Sequence, residues 1–227
     1  MSQPSASVST RTTLSSTTAN ASVTNRNQDL WSKFYIQACT LLTTTRETLS
    51  ENEKNNDITN KKLNDDELTK LHQRIMITLD TTTKLIFGLG ATKKAQVVVH
   101  GDGTIELIVG LVYASNVLKD PNATPLSKPI MLSSLKAIKT CVLRNPAGRC
   151  RCRSAGVFSF FKDILDAILD GGKEKDAEDA LLVEQVFTTL AACCLGDDLN
   201  ALQVSYLEPW SERINEYLLC VCIIFRL

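Results

Sequence analysis

Eight cysteines, two histidines, a run of basic residues with no acid in it and three aspartates at helical spacing are the groups in this chain that could do chemistry. Cys150/Cys152 and Cys220/Cys222 are spaced C-x-C, Cys193 and Cys194 are adjacent, and Cys39 and Cys141 stand apart. Thiols at this density raise a soft-metal site, but structural zinc is held by C-x₂₋₄-C spacing, which neither pair has. Most of the eight have apolar neighbours, where a free thiol packs as a small hydrophobe. The reading is therefore free thiols, no metal and no cofactor, in a reducing compartment, cytoplasmic or nuclear. In that setting the sequons at Asn20 and Asn122 go unused.

Catalytic patterns are poor. His100-Gly101-Asp102-Gly103 puts an imidazole beside a carboxylate, but Asp-Gly is a turn signal. Gly88-Leu-Gly90-Ala-Thr-Lys93-Lys94 lacks the spacing of a phosphate-binding loop and reads as a helix end. Asp163, Asp166 and Asp170 lie at i, i+3 and i+7, one side of a helix, and read as a solvated face. No nucleophile elbow or His-Glu-x-x-His helix occurs. The expectation is a non-catalytic protein; the alternative is an all-helical enzyme with its site near His100 or Asp163/Asp166.

The charge distribution is sharper. Lys+Arg and Asp+Glu are 25 each, which excludes a wholesale nucleic-acid or membrane-surface coat. Between Pro121 and Lys162, however, lie eight bases and no acid, and between Asp163 and Glu216 lie 13 acids and three bases. One reading is a basic patch that receives an acidic or phosphorylated protein segment. The other is two solvated faces on neighbouring units that partly neutralise each other. Nucleic acid is disfavoured because no aromatic residues interleave the arginines for base stacking.

Helices must position these groups, since the apolar spacing is helical almost throughout. Asp29–Ser50 carries Leu30, Phe34, Ile36, Ala38, Leu41 and Leu42 on one face. Asn64, followed by Asp65, Asp66 and Glu67, is a helix start, and Leu68, Leu71, Ile75, Leu79, Leu85 and Phe87 follow at helical intervals. A repeat then emerges. Gly103 with Ile105, Leu107, Ile108, Leu111 and Val112 recurs 53 residues on as Gly156 with Phe158, Phe160, Phe161, Ile164 and Leu165. Cys141 and Cys194 keep the same step, while the neighbouring sites match only with a slip of one or two residues. A third copy would open at Pro209 and keep Ile214, Tyr217 and Leu218. The order in each unit is long helix, turn, short helix, glycine, helix, loop.

That order resembles the armadillo-type repeat, a three-helix unit of about 40–47 residues, with HEAT-type helix pairs as the nearest alternative. The passage from Pro129 to Phe161 is the most similar: a third helix, the turn Arg144-Asn145-Pro146, a short first helix, the hinge Ala155-Gly156 and a second helix. The resemblance covers residues 64–223 and implies an all-α, right-handed α-solenoid of about three repeats whose concave surface binds a protein partner. Members that grip extended peptides place Asn and Trp on the inner helix. Here those positions match Thr140 and Ala192, and Lys136 and Thr188, so that grip is missing. The expected partner-binding residues are Lys136, Lys139, Thr140, Arg144, Arg149, Arg151 and Arg153.

The remaining segments are expected as follows. Residues 1–28 carry 13 Ser or Thr within the first 25 and read as a disordered tail, with an organelle transit peptide, and then an RNA-contacting repeat protein, as the alternative. Residues 29–63 read as a leading helix and polar loop, and 224–227 as the end of the chain. No stretch is apolar enough to span a bilayer. The apolar run Leu218–Phe225 packs on its neighbour, self-associates or reflects a truncated end.

Overall fold

The computed structural model describes residues 14–55, 65–89, 99, 103–143, 145–169 and 176–206. Among them are eight α-helices and no strand, so the fold is all-α. They are α1 (Leu14–Asn55), α2 (Asp65–Leu89), α3 (Thr104–Ala114), α4 (Ser127–Val142), α5 (Pro146–Ser154), α6 (Val157–Leu169), α7 (Ala177–Cys194) and α8 (Asp198–Tyr206). None is long and apolar enough to cross a membrane.

The helix ends follow from local chemistry. α2 opens on Asp65, Asp66 and Glu67, acids that complement the positive end of the helix. α5 has Pro146 in its first turn, and its cap Asn145 accepts from the Gly148 amide at 3.2 Å. α7 is closed by a reciprocal capping box: Asp176 accepts from the Asp179 amide at 2.9 Å, and Asp179 from the Asp176 amide at 3.2 Å. That box sets the start of α7 at Ala177.

α1 is longer than expected. It starts at Leu14, so residues 14–28 are helical where a disordered tail was expected, and it runs to Asn55, into the stretch read as a polar loop. Its packed part is Trp31 to Thr45, and elongating a helix beyond an anchored nucleus costs little per residue. The threonine-rich middle adds hydroxyls at Thr40, Thr43, Thr44, Thr45 and Thr48 that donate to carbonyls one turn back. The buried face is also rotated from the expected one. Trp31, Ala38 and Leu41 are buried, while Ile36 is 69% exposed.

The helices pack in rows. α4 lies between α2 and α7, α3 lies against α1 and α6, and α5 lies against α8. The 53-residue step holds for the second row. Gly103 and Gly156 both sit at φ 69, a left-handed conformation that glycine adopts without strain, and each carbonyl accepts the amide four residues on. All five apolar pairs that follow, from Ile105/Phe158 to Val112/Leu165, are buried.

In the first row the step is 52 and runs through three helices, not two. Leu79, Met131 and Val183 are equivalent and buried, as are Ile86, Ile138 and Leu190, and Leu89, Cys141 and Cys193. Cys141 therefore pairs with Cys193, not with Cys194. The capping residues Asn145 and Asp197 keep the same step. The further match in the first row thus stands before Gly103, on α2; the copy expected at Pro209 lies outside the described residues.

Candidate functional site

The junctions between neighbouring helices of the first row are made by titratable side chains near the starts of α4 and α7. His72 of α2 is fully buried, with Nδ1 2.7 Å from Thr124 Oγ1 and Nε2 3.1 Å from the Ser115 carbonyl. A carbonyl can only accept, so Nε2 carries the proton and Nδ1 accepts from the Thr124 hydroxyl. Burial lowers the imidazole below its ordinary value, partly offset by the bond to Ser115. At the next junction Lys128 Nζ lies 2.6 Å from Asp176 and 2.8 Å from Asp179, the two capping acids of α7. Burial disfavours the ammonium, but the two carboxylates outweigh it, so Lys128 titrates above its usual value. Asp176 is held low, chiefly by the bond from Lys128.

The expected basic patch divides. Lys136, Lys139 and Thr140 lie on the outward side of α4; Thr140 Oγ1 donates to the Lys136 carbonyl at 2.9 Å. Arg149, Arg151 and Arg153 lie on α5, where each is engaged by the chain itself. Arg149 donates to the Val142 carbonyl, closing the end of α4. Arg151 pairs with Glu106 of α3. Arg153 donates to Asp197 and Asn200 at 2.7 Å each, bridging α5 to α8. Asn200, fully buried, then donates to the carbonyls of Arg149 and Cys193. At the position 52 residues before it, a side chain on Gly148 would meet the Cys141 carbonyl at 2.4 Å, so α5 can press on the end of α4 only through glycine. Arg144 lies outside the described residues.

The acid-rich alternative is similarly occupied. Asp163 accepts from the Tyr113 hydroxyl, joining α3 to α6. Burial and that carboxylate both push the phenol up. Asp166 pairs with Lys162 one turn away. His100 and Asp170 lie outside the described residues. No group of three His, Cys, Asp or Glu among the described residues could hold a metal ion. Cys141, Cys152 and Cys193 are buried together, with the Cys152 and Cys193 sulfurs 3.7 Å apart, and burial raises the Cys141 thiol.

What remains outward on the first row is a repeated face. Stepping by 52 gives an apolar rank of Ile77, Pro129 and Leu181, with Ile77 56% and Leu181 46% exposed. Seven residues further on, Lys84 and Lys136 are both exposed. Three residues beyond stand Phe87 and Lys139, with Phe87 79% exposed, although the sequence placed it on the core side. The positions that the resemblance matched to Trp and Asn, Lys136/Thr188 and Thr140/Ala192, also keep this step. The 52-residue step in the sequence carries a signal for this face, in Ile77/Leu181 and Lys84/Lys136, but none for His72, whose equivalents are Thr124 and Asp176. No protein-family model, curated protein or solved structure matches the chain.

Proposed function

We propose that the chain is an armadillo-like right-handed solenoid that acts as a non-catalytic protein–protein interaction scaffold. On this reading α5, α6 and α7 are one three-helix unit, α3 and α4 the later helices of the unit before it, α1 and α2 those of the first, and α8 the start of another. The single observation that carries the reading is the 52-residue register of α2, α4 and α7, three helices that bury equivalent residues on one side and leave equivalent residues outward on the other. Units stacked in this way present an extended surface instead of a closed pocket, and such surfaces bind partners. The partner class is an acidic or phosphorylated protein segment, because α4 carries Lys136 and Lys139 without ion-pair partners among the described residues, and no acid.

The residues proposed to meet the partner are Lys136, Lys139 and Thr140 on α4. The α5 arginines contribute to holding units together, so the reversal of Arg149, Arg151 and Arg153 to Glu is not a clean test. The cleaner test is Lys136→Glu with Lys139→Glu, whose side chains have no partner among the described residues. Partner capture is expected to fall while circular dichroism and the melting temperature stay unchanged. Capture unaffected by both reversals sinks the proposal.

A further inference from the structure

Cys141, Cys152 and Cys193 place three fully buried sulfurs where α4, α5 and α7 meet. Packing alone does not call for sulfur there. One 52-residue step before Cys141 stands Leu89, buried on α2, and one step after Cys152 stands Val204, which packs against the same core from α8. Hydrocarbon thus serves at equivalent positions on neighbouring helices. A metal ion does not account for the cluster either, since no group of three ligands among the described residues could hold one.

Two of the three sulfurs are in contact. Cys152 and Cys193 are 41 residues apart in the chain, and their sulfurs are 3.7 Å apart. The Cys152 thiol donates to the Gly148 carbonyl at 3.4 Å, which uses its one hydrogen, so the Cys193 thiol is the donor between the two sulfurs. The backbones beneath them are held as well. Asn200 donates to the carbonyl of Cys193 itself at 2.8 Å and to that of Arg149, three residues before Cys152, at 2.9 Å. Gly148 lets α5 come this close, because a side chain there would collide with the Cys141 carbonyl. A disulfide joins its sulfurs at about 2.05 Å, so closure from 3.7 Å asks for a further approach of about 1.6 Å, which rotation about the cysteine χ1 bonds covers.

We propose that Cys152 and Cys193 form a reversible disulfide when the protein meets a peroxide, and that this bond locks α5 to α7. One sulfur, as its thiolate, attacks a peroxide oxygen; the O–O bond breaks, leaving a sulfenic acid and water. The second sulfur then attacks the first: the S–S bond forms, the S–O bond breaks, and the oxygen leaves as a second water. Two thiols lose two electrons and two hydrogens, and one hydrogen peroxide is reduced to two waters. A dithiol reverses the bond by exchange, becoming a cyclic disulfide itself. The bond to Cys152, then burial, raises the Cys193 thiol, so thiolate is scarce and the pair reacts slowly. Cys194, the next residue, is half-buried, so the pair lies one residue from the surface. The lock concerns the packing of α5 on α7 alone and stands apart from any partner.

The test treats the native full chain with hydrogen peroxide, removes the peroxide, alkylates in denaturant and maps the peptides by mass without reduction. A linked Cys152–Cys193 peptide pair is expected, with Cys141 still alkylated, and dithiothreitol is expected to return both thiols. Oxidation is expected to raise the melting temperature by at least about 5 °C, since the bond ties residues 41 apart. Cys152→Ala and Cys193→Ala are each expected to lose that rise, read against their own reduced forms, while Cys141→Ala and Cys150→Ala keep it. A pair that links only after denaturation, a link from either sulfur to another cysteine instead, or thiols that stay free where the exposed Cys150 is oxidised overturns the proposal. So does a linked pair that leaves the melting temperature unchanged or lower.

Discussion

His72 and Thr124, fifty-two residues apart in the chain, stand 2.7 Å apart between α2 and the start of α4. That contact sets a residue of α2 beside one a step later in the turn that leads into the neighbouring helix α4. It also predicts a pH response. The folded imidazole titrates below its ordinary value of 6.5, so the unfolded chain binds the proton more readily. The resulting stability is present above pH 6.5 and is lost as the pH falls below it. The melting temperature of the wild type is expected to drop from pH 7 to pH 5, and that of His72→Gln to drop less. Equal slopes would show that the buried imidazole does not carry the effect.

Two phenylalanines of opposite standing test the packing. Phe161 is buried in α6, and Phe161→Ala is expected to cost about 3–5 kcal/mol in denaturant unfolding. Phe87 points outward from α2, and Phe87→Ala is expected to stay within about 0.5 kcal/mol. Similar losses at both positions would mean that α2 is rotated from the described register.

How much of this was legible in the sequence depended on where each partner sits in the chain. The α3/α6 equivalence could be read because a left-handed glycine is followed at fixed distance by five apolar residues. The α4/α7 register slipped by one because Cys193 and Cys194 are both acceptable to apolar spacing, and only burial separates them. Phe87 was misplaced because periodicity treats any apolar residue as inward. The roles of Arg151 and Arg153 were illegible since Glu106, Asp197 and Asn200 are far from them in the chain, and a charge run does not reveal which members find partners.

The arginine bridge gives a third prediction. Arg153→Ala leaves the buried Asn200 carbonyl and the Asp197 carboxylate without their guanidinium, and is expected to cost about 1–3 kcal/mol. Lys136→Ala, on the outward face, is expected to be near neutral in the same unfolding measurement. No loss at Arg153 would remove it from the α5–α8 contact and return it to the exposed patch.

The cysteines differ in access. Cys150 is exposed on α5, whereas Cys141, Cys152 and Cys193 are buried. Thiolate is the reactive form; burial raises the thiol of Cys141, and the hydrogen bond with Cys152, then burial, raises that of Cys193. Maleimide labelling of the native protein, read by peptide mass, is expected to modify Cys150 and spare those three until denaturant is added. Native labelling of Cys152 or Cys193 at the rate of Cys150 would show that the α5/α7 junction opens.

α2, α4 and α7 stand side by side, with residues 52 apart in register. Lys84 and Lys136 are the exposed lysine pair on that register, on helices about 8–10 Å apart. That register is read out by treating the native chain with a short lysine-to-lysine cross-linker and identifying the linked peptides. A Lys84–Lys136 link is expected in the native chain and is expected to disappear in denaturant. Single-ended modification of both lysines without that link would contradict it.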